Sequence, residues 1–240
     1  HFLPIVPSAV YAAFGAPLGG KGADPTAQVG NGGIIQATSV RLEYLDTVWD
    51  EYCTRYMTDT MPVDVWNVHN FIFKEKCDDF GADIPPGCDS CDRRPSDGVK
   101  CYGEIYPEGD WTHASMDIFR AQIQAFRQWM KNHGQQDKPL IVSEYGIVYF
   151  HPWSEEERPG VTRDFMLATF DYFMNTKDAN LGYSADDYRL VQRWAWYSLD
   201  DAYLSTGFNR YGVLIDRYSG QITPLGQAFA DYAENYLDRP

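Results

Sequence analysis

Several apolar runs of the chain end in side chains that could take part in chemistry. Glu144 directly follows one such run, and its carboxylate could act as a nucleophile or as an acid-base group. His69 and the asparagines beside it could bind hydroxyl groups, and two tryptophans that alternate along another run could stack together on a sugar ring. The combination favours a carbohydrate site. Its candidate residues are Gln36, Asn67, His69, Asn70, Glu144, Trp194 and Trp196.

Each of these residues also has a purely structural interpretation. A carboxylate after a strand can simply begin a loop, a single histidine among apolar residues is often a core residue, and paired tryptophans can fill a core. Other chemistries have weaker support, since the sequence has no HExxH motif, no phosphate-binding loop and no serine nucleophile elbow. The glycines of Asn31-Gly-Gly33 lack the spacing of a dinucleotide-binding fingerprint.

An alternation of predicted strands and helices positions the candidate side chains. The predicted strands cover 27–35, 63–71, 139–144 and 190–197, and the predicted helices cover about 40–56, 115–132 and 162–174. A last helix is expected after Thr223, because threonine followed by proline is a typical helix start. This alternation predicts an α/β fold with a parallel sheet, in which ligands bind beyond the carboxyl ends of the strands.

Length and composition narrow the class of protein further. The 240 residues contain no internal repeat and no low-complexity linker, so we expect a single domain over 1–240, with no clear element in 1–24. The net charge of −14 disfavours nucleic acids and anionic membrane surfaces as partners. The apolar runs are shorter than the ~20 residues that span a membrane. Aromatic residues form 15% of the chain, which suits a large core or a sugar-stacking surface.

Three segments that contain the candidate residues carry a family resemblance. They are Val63-Asp-Val-Trp-Asn-Val-His-Asn-Phe-Ile72, Lys138-Pro-Leu-Ile-Val-Ser-Glu-Tyr-Gly146 and Trp194-Ala-Trp-Tyr-Ser198. They resemble the last strands of clan A glycoside hydrolases, which are retaining (β/α)8 barrels, and the ending Gly220–Phe229 is similar to their closing helix. The resemblance covers about residues 24–235 and implies that the predicted strands are strands 5 to 8. It also implies that Glu144 is the nucleophile, that His69 contacts the sugar or the nucleophile, and that Trp194 or Trp196 lies beneath the sugar.

The sequence departs from that family in its acid-base residue. A retaining glycosidase needs a second carboxylate about 5–5.5 Å from the nucleophile, and no Asn-Glu pair before residue 24 supplies it. Residues 1–24 are too few for four further strand–helix units, so we expect the C-terminal half of a TIM-type barrel. An N-terminal half outside this sequence, or a second chain, would then cover the open edges of the sheet.

The resemblance implies hydrolysis of β-glycosidic bonds in a neutral oligo- or polysaccharide by a secreted enzyme that uses neither a cofactor nor a metal. The acid-base glutamate would come from outside this chain. The alternative is a non-catalytic carbohydrate-binding or structural module of a secreted assembly, which the missing acid-base residue favours if the chain is complete.

A long segment over 74–113 interrupts the alternation and holds four of the five cysteines at the spacing C-x10-C-x2-C-x9-C. In a secreted protein, two disulfides would cross-link this loop and leave Cys53 free. Alternatively, the two cysteine pairs could hold zinc. The aspartates of the loop could bind Ca²⁺, but a solvated acidic loop is the better explanation. The four loop cysteines are Cys77, Cys88, Cys91 and Cys101.

Overall fold

A computed structural model of the chain describes residues 26–75, 82–85, 112–148, 153–202 and 208–237. The described helices are α1 (Ser39–Tyr56), α2 (Met116–Asn132), α3 (Arg158–Asn175) and α4 (Pro224–Leu237). The described strands are β1 (Trp66–His69), β2 (Leu140–Tyr145) and β3 (Arg193–Trp196). Cys53 is a free thiol. The predicted disulfides fall outside the described residues, since they involve Cys77, Cys88, Cys91 and Cys101.

The three strands form one parallel sheet in the order β1-β2-β3. α2 lies between β1 and β2 along the chain, and α3 lies between β2 and β3, as parallel strands require. The predicted α/β class with a parallel sheet is therefore confirmed. Both strand pairings become irregular towards the carboxyl end of β2, where Glu144 lies.

The segment predicted as the first strand, 27–35, follows the outer edge of β1 without forming a continuous strand. It makes two isolated parallel bridges, Gly30 with Val65 and Ile34 with Val68. Between these bridges, the Asn31 side chain makes the hydrogen bonds to β1 that a strand backbone would otherwise make. Asn31 Oδ1 accepts a hydrogen bond from the N–H of Asn67 at 2.5 Å, and its Nδ2 donates to the Asn67 carbonyl at 2.9 Å. The glycines around Asn31 explain this correction, because glycine weakens the interior of a strand.

The helices cover one face of the sheet. Trp66 and Val68 of β1 and Leu140 and Val142 of β2 are fully buried. The ring of Trp66 lies 4.9 Å from that of Trp129 on α2, which places this set of side chains against the helices. The alternate residues of the strands are half-buried or exposed and point to the other face.

The helix ends agree with the sequence pattern. α1 and α2 begin and end within one residue of the predicted bounds, whereas α3 begins one turn earlier than predicted. Thr223 accepts a hydrogen bond from the N–H of Gly226 at 3.0 Å, which confirms the predicted start of α4. No helix among the described residues has the length and apolar character to cross a membrane.

Candidate functional site

Glu144 and His69 meet at the carboxyl ends of two adjacent strands. They are register partners of β2 and β1, and Oε2 of Glu144 lies 3.5 Å from Nδ1 of His69. The N–H of Asn70 donates to the carbonyl oxygen of Glu144 at 2.9 Å, which joins the two strand ends. The Glu144 side chain is 43% exposed and that of His69 is 23% exposed. A carboxylate that solvent can reach is thus held beside a more buried imidazole.

Two opposing influences set the charge of His69. Burial lowers the pKa of this histidine, and the nearby Glu144 carboxylate partly opposes the shift. The neutral imidazole is therefore favoured at neutral pH. The carboxylate of Glu144 faces a polar ring that can orient it without forming a permanent ion pair.

Gly33 allows the chain to pass directly against the His69 ring. A Cβ atom on Gly33 would lie 2.7 Å from Cδ2 and 2.8 Å from Nε2 of His69, and 3.1 Å from Nδ2 of Asn67. Within the described part of the chain, Oδ1 of Asn67 is buried without a hydrogen-bond partner. This oxygen is an acceptor that a ligand or an ordered water could use.

The two candidate tryptophans lie on the other face of the sheet. The Trp194 ring packs 5.0 Å from Phe173 and 6.1 Å from Phe170, both on α3. The Trp196 ring packs 5.3 Å from Tyr145, and its indole N–H donates to the carbonyl of Gly212 at 2.7 Å. Both indoles therefore pack between the sheet and α3.

Gln36 and Asn70 are buried near the ends of the strands. The Gln36 amide makes two hydrogen bonds to the Phe73 backbone. Nε2 of Gln36 donates to the Phe73 carbonyl at 2.9 Å, and Oε1 accepts from the Phe73 N–H at 2.8 Å. Nδ2 of Asn70 donates to the carbonyl of Phe119 at 3.2 Å. Gln36 therefore joins two segments of backbone.

Tyr197 is an aromatic residue of the site that the sequence analysis does not identify. Its N–H donates to the carbonyl of Tyr145 at 2.8 Å, directly after Glu144 on β2. Its ring lies 6.1 Å from that of Phe71, which in turn lies 6.4 Å from the ring of His69. Strand alternation is the signal that could have found it: if Trp194 and Trp196 face the helices, the next residue faces the opposite side.

The chemistry of the site must be judged from these side chains. Among the described residues, no group of three or more histidine, cysteine, aspartate and glutamate side chains could hold a metal ion. No known family model matches the chain, and no curated protein matches its sequence. The inference of function therefore depends on the geometry around Glu144 and on the three segments that carry the family resemblance.

Proposed function

We propose that the sheet is the C-terminal half of a TIM-type barrel and that Glu144 is the nucleophile of a secreted, retaining β-glycosidase. The observation that carries this proposal is the pair of Glu144 and His69 at the carboxyl ends of adjacent parallel strands, where α/β folds bind ligands. The strand order gives further support, because strands that follow one another in the chain are also neighbours in the sheet, as in a barrel. The substrate is a neutral oligo- or polysaccharide.

In the proposed reaction, the Glu144 carboxylate attacks the anomeric carbon while the bond to the leaving oxygen breaks. A second carboxyl group, which the sequence does not identify, protonates the leaving oxygen and later takes a proton from the water that frees the sugar. His69 orients the Glu144 carboxylate. Asn67 Oδ1 accepts a hydrogen bond from a sugar hydroxyl, and Tyr197 offers its ring to a sugar face.

A 2-deoxy-2-fluoro-β-glycosyl fluoride tests the nucleophile by itself, because fluoride departs without being protonated. The probes are the 2-deoxy-2-fluoro-β-glycosyl fluorides of glucose, of mannose and of their β-1,4-linked disaccharides. We expect one of them to lose fluoride and attach its sugar to Glu144 as an ester, which peptide mass spectrometry would locate.

Glu144→Gln should abolish this labelling, and Glu234→Gln on the exposed side of α4 should leave it unchanged. A wild-type protein that no probe labels, or one that is labelled at another residue, would refute the nucleophile role.

A carbohydrate-binding or structural module is the second candidate. It is supported by Asn67, His69 and Tyr197, which could hold a sugar whether or not Glu144 has an acid-base partner. Such a module would bind β-linked oligosaccharides in calorimetry, and the fluoride probes would leave it unmodified.

A further inference from the structure

A second carboxylate, that of Asp201, lies beyond the carboxyl end of β3. The hydroxyl of Tyr197 donates to Oδ2 of Asp201, and Nη1 of Arg217 lies 3.6 Å from Oδ1. The Asp201 side chain is 36% exposed. Asp201 is therefore held from two sides, while part of the carboxylate remains open to solvent.

A buried hydrogen-bond network fixes the backbone of Asp201. Its N–H donates to Oγ of Ser198 at 2.8 Å, and its carbonyl accepts from Nδ2 of Asn209 at 3.0 Å. The same Nδ2 donates to Oγ of Ser198 at 2.9 Å, and both of these partners are buried. Such support in a loop is typical of a binding group whose position is set before the ligand arrives.

Tyr197 connects this carboxylate to the proposed active site. Its hydroxyl contacts Asp201, while its ring belongs to the aromatic group that reaches His69 through Phe71. A ring face beside a fixed acceptor matches a sugar, which has an apolar C–H face and hydroxyl groups at its rim. Arg217 offsets the charge of Asp201, and the net charge of −14 disfavours acidic sugars.

We propose that Tyr197 and Asp201 form a subsite for a neutral β-linked sugar, in which the Asp201 carboxylate accepts hydrogen bonds from neighbouring hydroxyl groups. This inference rests on the proposed function, which places the sugar attacked by Glu144 next to this subsite. It assigns Asp201 to substrate binding and selectivity, and it leaves the attack on the anomeric carbon to Glu144.

Calorimetry with three neutral tetrasaccharides tests the subsite, and all proteins in this comparison carry Glu144→Gln so that the probes are not hydrolysed. The probes are the β-1,4-linked tetramers of glucose and of mannose and the β-1,3-linked tetramer of glucose. Asp201→Asn preserves the shape of the side chain and removes its charge, so we expect the Kd of the probe that binds best to rise about tenfold or more. Asp187→Asn is the matched control, because Asp187 pairs with the exposed Lys177 before β3, at the opposite end of the strand.

Two results would overturn the subsite: a Kd for Asp201→Asn within twofold of that of the protein with Glu144→Gln alone, or no binding of any probe by the latter. If Asp201→Asn fails to fold by circular dichroism, Tyr197→Phe replaces it, since this change keeps the ring and removes the hydroxyl that holds Asp201. We expect Tyr197→Phe to raise Kd about threefold, and an unchanged Kd would then reject the proposal.

The fluoride probe separates this inference from the proposed hydrolysis. With a disaccharide fluoride, whose second ring reaches the subsite, the concentration for half-maximal labelling of Glu144 should rise in Asp201→Asn while the maximal labelling rate stays the same. Labelling with an unchanged half-maximal concentration would reject the subsite and keep the nucleophile. Weaker tetrasaccharide binding without any labelling of Glu144 in the wild type would keep the subsite and reject the nucleophile. A lower maximal rate with unchanged binding would also reject the subsite.

Discussion

His69 reports on the proposed site because its proton equilibrium depends on Glu144. Burial lowers the pKa of His69, and the carboxylate raises it again from a distance of 3.5 Å between Oε2 and Nδ1. The two effects act on one side chain, so removing the carboxylate leaves burial unopposed. The pair can therefore be examined in solution without any substrate.

We predict that Glu144→Gln lowers the pKa of His69 further. The physical reason is that the imidazolium loses its nearby negative charge while the ring stays buried. Titration of the His69 ring by NMR measures the shift, and Glu234→Gln on α4 should leave the midpoint where it is in the wild type. A midpoint that does not move in Glu144→Gln would show that the two side chains are not in contact in solution.

At the level of the elements, the helices are predictable because an apolar repeat of three and four residues fixes both the bounds and the buried face. α1 and α2 follow this pattern closely. The strand at 27–35 is not predictable, because its register depends on the Asn31 side chain bonding to Asn67. The meeting of His69 and Glu144 is foreseeable, since both end adjacent parallel strands.

The face of a strand is harder to predict than its location. Alternation shows that Trp194 and Trp196 share a face, but it does not say whether that face looks towards the helices or away from them. The structure shows that this face is directed towards the helices, because the Trp194 indole packs against Phe170 and Phe173 of α3. Asp201 is harder still, since it follows β3 in a loop where no periodic pattern applies.

We predict that Gly33→Ala destabilises the protein by about 1–3 kcal/mol, whereas Gly32→Ala changes the free energy of unfolding little. A Cβ atom at Gly33 would lie 2.7 Å from the His69 ring, while one at Gly32 would have no neighbour within 4 Å. The two variants alter adjacent residues of one segment, so each is the control for the other.

Urea unfolding measures both free energies, and the NMR titration of His69 shows whether the ring has moved in Gly33→Ala. Equal effects of the two substitutions would indicate that the segment does not pack against His69 as described.

Across the whole molecule, the sheet has one covered face and one that the described residues leave accessible. Arg193 and Ala195 of β3 are exposed, while the alternate residues of the strand pack against the helices. Beyond β3, the described residues contribute no further strand to the sheet. An unpaired edge and an accessible face suit a sheet that continues into further strands, as the proposed barrel requires.

We predict that the outer edge of β3 is paired in the native protein, by further strands of a longer polypeptide or by a second chain. The N–H of Tyr197 donates to the carbonyl of Tyr145, so alternation along the strand directs the N–H groups of Arg193 and Ala195 to β2 and that of Trp194 to the outer edge. Hydrogen exchange measured by NMR on the protein purified from its source should therefore find Trp194 as well protected as Ala195. Sedimentation should give a mass above 27.4 kDa, since the strands that protect Trp194 belong to additional chain. Rapid exchange at Trp194 in a folded 27.4 kDa monomer would show that the edge is open, and the barrel would have to be abandoned.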